Sequence, residues 1–241
     1  MTPVTRHVGI VAVSAEGAAL CYRTLCVEGA TLFGRHGHPE VSLHTIPLAE
    51  YMRPIEAGDW EAAAALVLRS AETLRRAGAD FLICPDNTAH QAIDLARDRS
   101  PLPWLHIAEE VAAAAAERGH RRLLLLGTRY LMEGPVYPPK LAARNIAFET
   151  PSPDVRERIN AIIFDELVNG RFEEPARSSL RGVIEEGRRR GCDAVALSCT
   201  ELPILIGEAD SPLPLLDSTR LLARAALREA SRSARVPRAA Q

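Results

Sequence analysis

RRAGADFLICPDNT, residues 75–88, runs from a basic pair through a glycine, an aspartate and an apolar stretch into a polar turn. Residues 188–201, RRRGCDAVALSCTE, carry the same features in the same order. The match sets Asp80 on Asp193 and Asp86 on Cys199, 113 residues apart. Two more matches fall at nearly that spacing. SPLPWLH (100–106) matches SPLPLLD (211–217), and VGIVAVS, ending at Ser14, matches LLLLGT, ending at Thr128. One spacing shared by three segments implies a duplicated chain with two similar halves.

Working outward, short apolar runs alternate with helical patterns. HVGIVAVS, VSLHTIPL, DFLICP, PWLHIA, RLLLLGT, IAFETP and DAVALSC read as strands. DWEAAAALVLRSAETLRRAG, IAEEVAAAAAERG, PDVRERINAIIFDELVNG, SSLRGVIEEGRRRG and STRLLARAALREAS read as helices. Continuous apolar strands between helices predict an α/β fold with parallel sheets covered on both faces. Gly78, Gly119, Gly170 and Gly191 stand where helices stop, the place for a left-handed cap.

Ligands in open α/β sheets bind beyond the carboxyl ends of the strands. A cleft between the halves therefore receives Ser14, Asp86, Thr128 and Cys199 from equivalent strand ends. The pseudo-twofold puts Asp86 and Cys199 on opposite sides of one bound molecule. Two proton-transfer groups flanking one carbon suit inversion of a stereocentre. Asn87, Thr88 and Thr200, with free N–H groups at helix starts, make a carboxylate site. Glu201 is a helix-start residue that also orients its neighbours. Each tip has a plainer reading: Asp86 as a turn-capping Asx residue, Cys199 as an inert buried thiol.

These turns carry a resemblance. PDNTAH (85–90), SCTELP (198–203), LLGTRYLMEGPVY (125–137) and LDSTRLLARAA (216–226) resemble the cofactor-independent aspartate/glutamate racemase family, part of the Asp/Glu/hydantoin racemase superfamily. VAVSAEGAALCYR (11–23) looks like a worn form of the family's opening segment. The resemblance implies two flavodoxin-like lobes related by pseudo-twofold symmetry, a site in the cleft between them and no pyridoxal phosphate or other cofactor. It also implies a catalytic cysteine at each turn, often in a homodimer. By family position Arg53 would pair with a substrate carboxylate, for which a guanidinium offers bidentate geometry. This sequence departs from the family at Asp86, which stands where the first catalytic cysteine is expected. It departs again at Leu222, where many relatives carry histidine.

The expected lobes are 1–103 plus 217–230 and 104–216, followed by a basic, patternless tail at 231–241. The ordinary acidities of a carboxyl and a thiol make Asp86 an ionised base and Cys199 a protonated acid near pH 7, a pair poised to work better in one direction. Two other readings stay open: a single-cysteine decarboxylase of the same superfamily, and a non-catalytic small-molecule-binding homologue.

The bulk numbers agree with a small-molecule enzyme. The 241 residues carry a net charge of -2, which points away from nucleic acid and anionic membranes as partners. The apolar runs are too short for a membrane span, and the first residues do not read as an export signal. Five cysteines without a zinc spacing read as free thiols in a reducing cytoplasm. Cys84, Asp86 and His90 fit no common metal pattern. Cys84 is expected in the core and His90 in support of the turn, with Cys21, Cys26 and Cys192 as packing or surface residues.

Overall fold

The apolar runs form two parallel sheets, in a computed structural model that describes residues 5–232. The first sheet contains β1 (Val8–Ala12), β2 (Val41–Thr45) and β3 (Phe81–Ile83), in the order β2-β1-β3. The second contains β4 (Arg122–Leu126), β5 (Ala147–Glu149), β6 (Ala194–Leu197) and β7 (Leu215–Asp217), in the order β5-β4-β6-β7. PWLHIA contributes a single parallel bridge, Trp104 to Leu82, at the edge of the first sheet. That bridge corresponds to β7, so both halves are wound in the same order.

The repeat is also a repeat of hydrogen bonds. Asp80 accepts the His7 N–H at 2.7 Å, and Asp193 accepts the Arg121 N–H at 2.7 Å. The Ser100 hydroxyl donates to Leu102 O at 2.8 Å, and Ser211 to Leu213 O at 2.6 Å. The N–H of Leu82 donates to Pro103 O at 2.8 Å, and that of Val195 to Pro214 O at 2.9 Å. The repeated aspartate ties a helix exit to the first strand of its sheet. The repeated SPLP folds the chain back to the sheet edge.

Helices α1 (Ala15–Glu28), α2 (Ala30–Phe33), α3 (Leu48–Ala57), α4 (Trp60–Arg76) and α5 (His90–Ala96) belong to the first half. Helices α6 (Ile107–Glu117), α7 (Arg129–Glu133), α8 (Pro138–Ala142), α9 (Pro153–Ala161), α10 (Glu174–Arg189) and α11 (Leu202–Leu205) follow, and α12 (Ser218–Ser231) closes the fold. Gly78, Gly119, Gly170 and Gly191 all take positive φ, between 72° and 94°, at the predicted helix stops.

Each sheet buries both faces. In the first, Val11 and Leu82 pack with Val67 and Leu74 of α4. On the other face Ile10, Phe81 and Ile83 pack with Cys21 and Leu25 of α1 and with Leu222 and Ala226 of α12. The last long helix thus returns to the first lobe, and Leu222 is there a core residue. In the second lobe Leu123 and Leu125 face α6 and α8, while Leu124 and Leu197 face α9 and α10.

The structure corrects several expected elements. Ile107 and Ala108, claimed by both the PWLHIA strand and the IAEEVAAAAAERG helix, go to the helix: they start α6, where the His106 ring accepts the Ala108 N–H at 3.2 Å. The helix read over 153–170 stops at Ala161, passes through one π turn (Ile162–Glu166) and a 3₁₀ turn (Leu167–Asn169), and ends at Gly170. The Asn169 amide holds this irregular stretch by donating to Phe164 O and Asp165 O. Among the described residues no helix is long and apolar enough to cross a membrane. Of the expected tail, Ser231 ends α12, and residues 233–241 lie outside the described residues.

Candidate active site

Two strand ends, one from each lobe, build the site. After β3, Cys84 and Pro85 carry the chain off the sheet, where proline cannot extend a ladder. Asp86 Oδ1 then accepts the Ala89 N–H at 2.8 Å and turns the chain toward α5. The Asx turn and the place in the cleft are therefore both real for Asp86. After β6, Ser198, Cys199, Thr200 and Glu201 make the corresponding turn into α11.

A narrow cleft, with a cavity volume of about 40 Å³, lies between the turns. Ser14, Asp86, Asn87 and Thr88 line it from the first lobe, and Thr128, Ser198, Cys199, Thr200 and Glu201 from the second. Arg53 does not join them. It is exposed on α3, and its neighbour Met52 lines the cleft instead, with Leu48 and Ile55 of the same helix. The phase of α3 turns the expected guanidinium outward.

Hydroxyl pairs join the lobes across the cleft. Thr88 and Thr128 are hydrogen-bonded at 2.9 Å, and Ser14 and Thr200 at 3.3 Å. The approach at Ser14 needs Gly17, since a Cβ there would lie 2.2 Å from Thr200 Oγ1. Asn87 is spent differently. Its Oδ1 accepts from the Tyr137 hydroxyl at 2.7 Å, and its Nδ2 donates to Ser218 Oγ at 3.0 Å. The side chain expected to hold substrate thus fixes the turn. Tyr137 and Ser218 lie in LLGTRYLMEGPVY and LDSTRLLARAA, where no local pattern marks either as a partner of Asn87.

The two tips differ electrostatically. Burial raises the Asp86 carboxyl from 3.8 to about 6; hydrogen bonds from the Ala89 and Thr88 backbone oppose this, and the Glu201 charge adds to it. The Cys199 thiol is 6% exposed and donates to Glu201 Oε2 at 3.0 Å. Burial first, then the charge and hydrogen bond of Glu201, push this thiol well above its usual range. Thr200 also donates to Glu201 Oε2, at 3.0 Å, while Oε1 is buried without a hydrogen-bond partner.

The supporting residues sit as expected. His90 is fully buried and bonds Cys84 O at 3.1 Å through Nε2, so its ring props the first turn from beneath. Burial, and the His106 ring tilted at 60° with its centroid 4.3 Å away, hold it well below the normal imidazole range and therefore neutral. Cys84 is packed in the core, as are Cys21 and Cys192; Cys26 is half-buried, and all five thiols are free. Among the described residues no group of three His, Cys, Asp or Glu side chains is placed to hold a metal ion.

The comparisons with known proteins agree with this architecture. A family model described as Asp/Glu/Hydantoin racemase matches residues 9–226. The broad specificity amino-acid racemase RacX of Bacillus subtilis is 23% identical over 195 residues, which are 78% of this chain and 80% of RacX. A glutamate racemase of Thermus thermophilus is 32% identical over 157 residues, 63% of this chain but only 55% of that enzyme. A Yersinia pestis protein assigned to the Asp/Glu racemases superposes with a TM-score of 0.84 at 31% identity, covering 93% of this chain and 99% of that one. An aspartate racemase homologue from Pyrococcus horikoshii gives 0.80 at 28% identity, covering 94% and 99%. With the duplicated sheets and both turn motifs inside the matched span, the chain belongs to the Asp/Glu/hydantoin racemase family, isomerases that work without pyridoxal phosphate.

Proposed function

We propose that the chain is a cofactor-independent amino-acid racemase in which Asp86 and Cys199 act as opposed base and acid on the substrate's α-carbon. One observation carries this reading: the tips of two repeated turns, on different lobes, line a single cleft. The hydroxyls of Ser14, Thr88, Thr128 and Thr200 would hold the α-carboxylate. The free Glu201 Oε1 would accept a hydrogen bond from the α-ammonium and so satisfy an oxygen otherwise buried alone.

Near pH 7 most Asp86 carboxyl groups are ionised, and Cys199 keeps its proton. Asp86 takes the α-proton as the C–H bond breaks, and the electron pair stays on the α-carbon. Cys199 then gives its proton to the opposite face. The cycle leaves a protonated Asp86 and a Cys199 thiolate, which exchange protons with water or run the step backwards. A carboxylate is a much weaker base than a thiolate, so the two half-reactions have different turnover numbers, while the equilibrium constant of one for a racemisation keeps kcat/KM equal for the two enantiomers. Five free thiols support a reducing cytoplasmic setting. The family resemblance supports a homodimer, which sedimentation would test.

Incubation in heavy water tests the reaction. Loss of the α-proton with inversion, followed by NMR and chiral chromatography, is the expected result. Exchange with complete retention would remove Asp86 from the relay. A second reading, decarboxylation of a substituted malonate with Cys199 as proton donor, is favoured by the protonated state of that thiol. Carbon dioxide release without amino-acid exchange would replace the first reading by this one.

A further inference from the structure

The cleft's charge is one-sided. Among the described residues, the only charged side chains lining it are Asp86 and Glu201, both acidic, with no lysine, arginine or histidine beside them. Both belong to the turns that would surround the α-carbon. The remaining walls are apolar and come from both lobes.

One wall is α3. Leu48, Met52 and Ile55 are four and three residues apart, so they share one helical face, and that face lines the cleft. The other wall is Tyr130 with Ile163, Phe164 and Val168. The rings of Tyr130 and Phe164 meet edge to face, 6.5 Å apart at 82°. Ile163 and Phe164 lie in the π turn, and Val168 in the 3₁₀ turn after it. An extra residue in a helical turn re-aims the side chains that follow, and such turns recur at functional sites. Here the irregularity serves the wall.

The nearest candidate cations are turned away. Arg53 is exposed on the outer side of α3. Arg129 is exposed, lies over the Tyr130 ring at 5.4 Å and pairs with Glu157 at 3.8 Å.

We infer that the substrate is an amino acid with an uncharged, apolar side chain, branched aliphatic, thioether or aromatic, and that Met52 and Phe164 are its specificity residues. This rests on the racemase reading. A side-chain carboxylate would be desolvated beside two acids with no cation to pair with, which a closed cleft penalises heavily. A side-chain ammonium would find in those walls no carboxylate to pair with and only the Tyr130 hydroxyl as a side-chain acceptor. An apolar side chain gains by leaving water there.

The test is α-proton exchange in heavy water with the full chain. The panel holds both enantiomers of leucine, methionine, phenylalanine, aspartate, glutamate, lysine and arginine, and thermal stabilisation by each is measured in parallel. The expected kcat/KM for the best apolar substrate exceeds that for aspartate and glutamate by about 100-fold or more. Met52→Arg should shift that ratio toward glutamate by about tenfold or more, because it puts a guanidinium where α3 now presents a thioether. Phe164→Ala should raise KM for phenylalanine more than it lowers kcat. Faster exchange of aspartate, glutamate, lysine or arginine overturns the inference and leaves the racemase standing. Stabilisation by apolar amino acids alone, without exchange, overturns the racemase and the substrate role, and keeps the cleft's preference for an apolar amino acid. No exchange and no stabilisation by any apolar amino acid overturns both.

Discussion

The turn after β3 and the turn after β6 follow one backbone plan but keep their carboxylates in different places. The first has its acid at the tip, Asp86, with Thr88 two residues on. The second has a thiol at the tip, Cys199, with Glu201 in the place of Thr88. At the first tip the carboxylate accepts a backbone N–H and, though raised to about 6, still ionises near neutrality. At the second, burial first and then the carboxylate facing the thiol at 3.0 Å keep it protonated. Moving an acid by two positions in a repeated turn makes one tip a proton acceptor and the other a donor. The duplication supplied a symmetric cleft, and these two residues make its two faces chemically unlike.

Removing either tip breaks the comparison outright and carries the largest effects. Cys199→Ala should lower exchange by about 10²–10⁴-fold, the range of a positioned acid or base. Asp86→Asn should do the same while keeping an oxygen to cap Ala89, so the turn survives. Full activity in Asp86→Asn would leave Asp86 only its capping role. The measurement is exchange rate for each enantiomer, with circular dichroism to confirm the fold.

The next effect is on pH dependence. A base must be ionised, so the rate should rise with pH through about 6, and Asp86→Cys should move that limb upward into the thiol range. The same group leaves a mark on stability. Its pKa is higher in the folded chain than the 3.8 of an unstructured aspartate. The stability it contributes is complete below 3.8 and is lost as pH rises through about 6. Asp86→Asn should remove that loss, as denaturant melts at pH 4 and pH 7 would record.

A smaller effect sharpens the contrast at the second tip. Glu201→Gln removes the charge that holds the Cys199 proton while keeping a side chain of the same size. The thiol should titrate lower, and its alkylation at fixed pH should speed up by about tenfold for each unit of that fall. Burial still raises the thiol, so the change should be partial. An unchanged alkylation rate would mean that burial alone sets the state of Cys199.

What the sequence discloses follows from how local each cause is. Ser14, Asp86, Thr128 and Cys199 are strand-end residues, and a strand end is marked by where its apolar run stops. The repeat then aligns them without any knowledge of the sheets. Arg53 shows the limit. Family position pointed to it, yet the phase of α3 depends on where that helix starts and which face meets the first lobe's core, where Tyr51 and Ile55 are buried. One residue of phase exchanges an arginine for a methionine in the cleft. The π turn is equally hidden, because 153–170 has the composition of a continuous helix. The partners of Asn87 lie 50 and 131 residues away in sequence, and no local pattern announces them.

Those distant partners give the last and smallest test. The Tyr137 hydroxyl donates to Asn87, Asn87 donates to Ser218, and Ser218 donates to Leu197 O at 2.8 Å. The relay starts beside α8, crosses the first turn and the head of α12, and ends on the last residue of β6. Among the described residues the second turn has no equivalent, since Thr200 is held by Ser14 and Glu201 within the cleft. Tyr137→Phe leaves the buried Asn87 Oδ1 without its donor, a loss of about 1–3 kcal/mol. The melting temperature should fall by a few degrees, with kcat changed only a few-fold and the limb near pH 6 unmoved. Amide hydrogen exchange should quicken at residues 86–90 and not at 199–203. Equal loosening of both turns would show that the relay holds the whole cleft together rather than the Asp86 side alone.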